Sequence, residues 1–227
     1  MKNRIPVNIK IDWRWVEKEL LRKDRISPSQ KAISACAREC LRRARSLVKP
    51  SVAAATKDIA CLAPGHVELE DGIVFSSKRL PRYLKGATRL YIFVATIGDK
   101  LETAATKSMS RDDVLRGYLF DGIGSLAAES LAENMEKALR KYCAERGESV
   151  SMRFSPGYCD WPTGEQRILQ KAVDFTKAGV RLTETCMMVP RKSVSAVIGI
   201  APRGIFTKTR SPCHVCTLKD CDHRRDV

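Results

Sequence analysis

Between residues 111 and 146 the sequence carries Leu115, Leu119, Leu126, Leu131, Met135, Leu139 and Tyr142 at spacings that keep them near one side of an α-helix. Ser110 and Asp113 lie where a capping box would start it. A helix this long limits the architectures open to the rest of the chain, because something must cover its stripe. The run Leu90-Tyr91-Ile92-Phe93-Val94-Ala95 is β-branched and aromatic and predicts a buried strand over 89–97, ended by Gly98.

Other segments are shorter. Ile5, Val7, Ile9 and Ile11 alternate with polar residues as in a strand, and Trp13, Val16, Leu20 and Leu21 have helical spacing over 12–25. Ser27-Pro28 offers a cap and a first-turn proline for a second helix, with Ile33, Cys36, Ala37, Cys40, Leu41, Ala44 and Leu47 on its apolar face and Pro50 as its stop. Residues 52–75 read as short strands turning at Pro64-Gly65 and Asp71-Gly72. Residues 151–158 read as extended, 164–175 as a short helix, and 180–189 and 193–201 as strands. Long helices among scattered strands, without a strand-helix-strand rhythm, predict an α+β fold with a mixed, largely antiparallel sheet. We divide the chain into an N-terminal strand and helices (1–50), a main domain (51–205) and a Cys-rich tail (206–227).

The apolar fraction of 44% and the charged fraction of 30% are those of a globular protein, and no apolar run approaches the roughly 20 residues of a membrane helix. No membrane partner is expected. With no signal-peptide pattern at the N-terminus, the expected location is the cytoplasm, and the nine cysteines read as thiols or metal ligands. The net charge of +15 attracts nucleic acid, acidic lipid or acidic protein. The basic residues are scattered and form no finger, zipper or aromatic-rich RNA motif.

The most unusual stretch is Arg153-Phe154-Ser155-Pro156-Gly157-Tyr158-Cys159-Asp160-Trp161-Pro162. Pro156 and Gly157 impose a tight turn, around which sit a guanidinium, a phenol, a thiol, a carboxylate and an indole. Arg153 can clamp a carboxylate and Tyr158 can donate a hydrogen bond or cover a flat ring. A structural turn with Tyr158 and Trp161 as core plugs is the competing reading. On the long helix, Asp121, Ser125 and Glu129 are spaced by four, and with Gly122, Gly124 and Glu133 they predict a polar face and an acid-lined groove beside the loop.

Three ordered motifs resemble one family. Arg-x-Ser-Pro-Gly-Tyr at 153–158 with a following Trp-Pro, Gly179-Val180-Arg181-Leu182-Thr183-Glu184-Thr185, and Pro190-Arg191-Lys192-Ser193-Val194-Ser195 are similar to the reactivation domain of cobalamin-dependent methionine synthase. Ala95-Thr96-Ile97-Gly98 and Asp121-Gly122-Ile123-Gly124-Ser125 resemble stand-alone bacterial members, so the likeness covers residues 50–205 and makes 51–205 an activation-like domain. The resemblance implies a reactivation subunit for a corrinoid methyltransferase, with S-adenosylmethionine as methyl donor and reduced flavodoxin, or a ferredoxin-type protein, as electron donor. It places Arg153, Ser155, Gly157 and Tyr158 around S-adenosylmethionine and turns Glu129 and Glu133 toward the corrinoid module. The family's C-terminal cofactor contacts find no counterpart here. Nothing resembles the Asp-x-His-x-x-Gly cobalamin loop, so cobalamin is expected on a partner, the corrinoid-binding methionine synthase or a related protein.

The tail adds Cys213, Cys216 and Cys221, spaced to wrap one iron-sulfur cluster or zinc ion. A fourth ligand would come from His214, His223 or, through space, Cys159. Two other readings follow. One is an iron-sulfur electron-transfer activator of a corrinoid protein without S-adenosylmethionine. The other is a basic nucleic-acid-binding protein with a zinc tail, disfavoured by scattered charge and 6% aromatic content.

Overall fold

In strand β4 (Arg89–Thr96), Leu90, Ile92 and Val94 point to one side and Tyr91, Phe93 and Ala95 to the other, and all six are buried. A strand apolar on both faces requires a layer on each side. The computed structural model, which describes residues 10–22 and 31–207, supplies both. β4 lies inside a six-stranded antiparallel sheet with β1 (Ser51–Ala63), β2 (His66–Leu69), β3 (Val74–Ser76), β5 (Glu148–Val150) and β8 (Ser193–Pro202), in the order β3-β2-β1-β4-β8-β5. β1 is a single long strand where short ones are expected from the sequence. Its first part pairs with β4, from Ser51 opposite Thr96 to Asp58 opposite Arg89, and past a bulge near Ile59 it pairs with β2. The change of partner breaks the apolar alternation that would mark one strand.

One face of the sheet is covered by helices α1 (Trp13–Arg22), α2 (Lys31–Leu47), α4 (Lys100–Met109) and α5 (Val114–Ala144). Ala196, Ile198 and Ile200 of β8 join Tyr91 and Phe93 under them. Leu119, Leu131, Met135 and Leu139 of the expected α5 stripe are buried, while Leu126 and Tyr142 are half-buried. Leu115 is exposed, because Gly117 rather than a leucine faces α4, where a Cβ would come within 2.5 Å of Met109 Cγ and 3.1 Å of the Ala105 carbonyl. The Ser110/Asp113 box does not form. Ser110 caps the C-terminus of α4, and Asp113 itself caps α5 by accepting the Arg116 N–H at 3.2 Å.

The other face is covered by α3 (Leu80–Tyr83), α6 (Gln166–Ala172), two single 3-10 turns at Thr163–Glu165 and Phe175–Ala178, and the connecting loops. Phe75, Leu84, Phe154, Trp161, Leu169 and Phe175 form its core. The helix expected over 164–175 stops at Val173, whose backbone is extended. The strand expected over 180–189 shrinks to a hairpin of β6 (Arg181–Leu182) and β7 (Met188–Val189). There the Thr183 hydroxyl accepts the Met187 N–H at 3.0 Å, so side chain-to-backbone bonding takes the place of a ladder. Ile5, Val7 and Ile9 lie outside the described residues. Among the described residues no helix is long and apolar enough to cross a membrane.

Candidate functional site

The residues before the Pro156–Gly157 turn run alongside β8 without forming a continuous strand. Ser151 donates its N–H to the Gly199 carbonyl at 2.9 Å, and Phe154 and Val197 exchange both backbone bonds at 2.9 Å. Extended backbone sends successive side chains to opposite sides. Phe154 therefore enters the loop-side core against Tyr83 and Trp161, while Arg153 meets α5. At the turn, Gly157 adopts φ +97°, and its N–H donates to the Trp161 carbonyl at 2.7 Å. A Cβ there would meet only Thr163 Oγ1 at 3.6 Å, so backbone conformation rather than space selects glycine.

The downstream end of the loop is locked to the β3–α3 connection. Asp160 accepts the Ser77 hydroxyl at 3.0 Å and the Lys78 N–H at 2.6 Å. Trp161, 1% exposed, donates Nε1–H to Glu165 at 3.1 Å, and the same carboxylate accepts the Ser76 N–H at 2.9 Å. Trp161 is thus the core plug of the competing sequence reading. Tyr158 is not, since it is 42% exposed with its ring edge-on to Phe154.

The upstream end has a different character. Arg153 is 5% exposed, and its Nη2 pairs closely with the Glu129 carboxylate of α5. Among the described residues its buried Nη1 has no hydrogen-bond partner, and neither has the buried hydroxyl of Ser155. Farther along α5, Glu133 lies 3.9 Å from Lys137 Nζ, and Glu136 pairs with Arg140, which also donates to the Val150 carbonyl. Burial, reinforced by the nearby Glu136 charge, pushes the Tyr83 phenol above its ordinary pKa.

Glu129 also lines a groove of about 380 Å³ between α5 and the segment leading into β8, together with Asp121, Ser125 and Lys192. The groove expected from the sequence exists, but its acids are matched by cations. Lys192 Nζ lies 2.8 Å from Asp121 and donates to the Ser125 hydroxyl at 2.9 Å. Its alkyl chain crosses α5 over Gly124, where a Cβ would sit 3.2 Å from Lys192 Cγ. Arg191 at the groove's edge is engaged by Glu102, with Nε 3.6 Å from Oε1 and its backbone N–H donating to Oε2 at 2.8 Å. Lys192 has no role in the reading from sequence, although Arg191-Lys192 directly follows Pro190 in the third motif and is the signal for it.

The fold therefore brings Arg153 and Glu129 together, with Ser155, Gly157 and Tyr158 in the same loop and Glu133 one helical turn beyond Glu129. Cys159 is half-buried in this loop at φ 54°. Cys213, Cys216, Cys221, His214 and His223 lie outside the described residues. Among the described residues no group of three or more His, Cys, Asp or Glu side chains could hold a metal ion.

Comparison with known proteins meets this geometry. The fold is similar to a crystal structure of the MetH reactivation domain bound to AdoHcy, with a TM-score of 0.59 at 16% identity over 93% of this chain and 82% of that one. No curated protein matches the sequence. The family model for the activation domain of vitamin B12 dependent methionine synthase matches residues 81–208, more than half of the chain. That span takes in β4, α5, the Arg153 loop and β8, and the chain belongs to the family of vitamin B12 dependent methionine synthase activation domains.

Proposed function

We propose that this chain is a reactivation subunit that binds S-adenosylmethionine at the Arg153 loop and presents it to a corrinoid carried by a separate methyltransferase, with methionine synthase the leading partner. One observation carries the reading: a buried guanidinium nitrogen and a buried hydroxyl, two residues apart in the loop, both lack partners among the described residues. Leaving a buried donor unmatched costs about 1–3 kcal/mol, a cost that a ligand supplying acceptors removes. The carboxylate of an amino acid suits both groups, since guanidinium binds carboxylate through paired N–H donors and Ser155 can add a third. The exposed Tyr158 ring offers a lid for a flat base beside them. The similar structure with AdoHcy bound supports the choice of ligand.

S-adenosylmethionine supplies an electrophilic methyl group. The chain's own residues hold the amino-acid end of the donor through Arg153 and Ser155, while the locked Asp160–Trp161 end keeps the turn in place. An acidic electron donor of the flavodoxin or ferredoxin type suits the net charge of +15, because opposite charge speeds docking. The test is complementation. Mixed with a methionine synthase lacking its own activation domain, a low-potential reductant and S-adenosylmethionine, the folded chain should restore methionine formation after the cobalamin has been oxidised. No recovery above the control without this chain contradicts the proposal.

A further inference from the structure

A second groove, of about 700 Å³, lies between α2, α4 and the start of α5, and it shares no residue with the Arg153 loop or with the groove that Glu129 lines. Five cations line it against two carboxylates. Arg116 is already engaged, with Nη1 2.7 Å from Glu39 and Nε 2.9 Å from Asp113. Among the described residues Lys100, Lys107 and Arg111 make no ion pair. Arg43 sits over the Phe120 ring, 5.8 Å from its centroid, a contact that holds the guanidinium without neutralising it. Thr103 and Ser108 also line the groove, and among the described residues their hydroxyls make no hydrogen bond.

We infer that this groove is a binding site for a short chain of linked phosphates, the chemistry shared by inorganic polyphosphate and a nucleoside triphosphate. The inference goes beyond the reading of the Arg153 loop and does not depend on it. Lys100 and Lys107 both line the groove from α4, two helical turns and about 10 Å apart along the axis. A single phosphate cannot reach both. Linked phosphates offer each lysine its own oxygens, and the guanidinium of Arg111 and the two hydroxyls supply directed donors to the rest. The chain must be short, because Asp99 borders the groove at the start of α4 and Asp113 borders it beyond the end of that helix. A nucleic acid strand continuing past either end would meet a carboxylate. An acidic protein fits less well, since a protein interface has an apolar centre and the groove offers only the half-buried Leu47 and Ala104.

The experiment is titration calorimetry of sodium tripolyphosphate, ATP and orthophosphate into the full chain at fixed ionic strength, with a thermal unfolding curve for each protein. Tripolyphosphate and ATP should each bind at one site, at least about tenfold more tightly than orthophosphate. Replacing the exposed Lys107 and Arg111 together, Lys107→Gln with Arg111→Gln, should weaken both ligands at least about tenfold. Arg82→Gln with Lys85→Gln removes the same charge from exposed positions in and just after α3, on the other face of the sheet, and should change either affinity less than about twofold. Tighter binding of ATP than of tripolyphosphate identifies a nucleotide as the source, equal binding identifies the inorganic chain, and either upholds the site. Three results overturn it: no saturable heat with the folded parent, equal weakening by the two double variants, or a glutamate-rich peptide or single-stranded oligonucleotide that binds as tightly as tripolyphosphate.

Discussion

The two ends of the loop from Arg153 to Pro162 differ in how their polar groups are matched. At the downstream end the Asp160 and Glu165 carboxylates each accept two hydrogen bonds, and the Trp161 ring is sealed between Phe75 and Phe154 at centroid distances of 5.6 and 5.9 Å. At the upstream end Arg153 and Ser155 are almost as deeply buried, yet each keeps a polar atom that no described residue matches. Burial alone therefore does not distinguish scaffold from site in this loop. The distinction lies in whether buried polar groups are satisfied, and the unsatisfied pair is what the proposed ligand would match.

The comparison breaks most readily at the scaffold end. Trp161→Ala removes a fully buried indole and strips the Glu165 carboxylate of one donor, so urea denaturation should show a loss of about 3–5 kcal/mol. A loss below about 1 kcal/mol would mean that the downstream end is not the anchor. Asp160→Ala removes two hydrogen bonds at an exposed position and should cost about 1–2 kcal/mol by the same measurement, with ligand affinity reduced only as far as the turn loosens. Ser155→Ala sharpens the contrast with the smallest effect. Deleting an unmatched buried hydroxyl should leave the free protein's stability unchanged or raised by a few tenths of a kcal/mol, while S-adenosylmethionine affinity falls about threefold to tenfold. A marked loss of stability in Ser155→Ala would show that the hydroxyl serves the scaffold after all.

Much of the fold was legible because periodicity reports burial. β4, β8, α2 and α5 follow their apolar spacing, since each packs against a continuous layer. α4 escaped notice because only Leu101 and Ala105 of its residues are buried, too few to raise a stripe above its charged neighbours. β1 was obscured by its change of partner, and the β6–β7 hairpin by the Thr183 hydroxyl, which bonds the backbone locally. The motif singles out Arg153, Ser155, Gly157 and Tyr158 in the sequence but not their circumstances. Arg153 finds its counter-ion in Glu129, 24 residues earlier on a different element, and no local pattern announces such a pairing. Tyr158 and Trp161 look alike in sequence as aromatic neighbours of a turn, and only packing reveals that one is outside and the other sealed.

The claim that the upstream end is a ligand site for which Arg153 is the anchor is tested most directly by calorimetric titration of S-adenosylmethionine into the parent chain and Arg153→Ala. The parent should bind at one site, and the variant should bind at least about 100-fold more weakly, a difference of about 2.7 kcal/mol, while keeping a cooperative thermal transition. Equal affinity in the two proteins, or no saturable heat with the folded parent, would contradict the account.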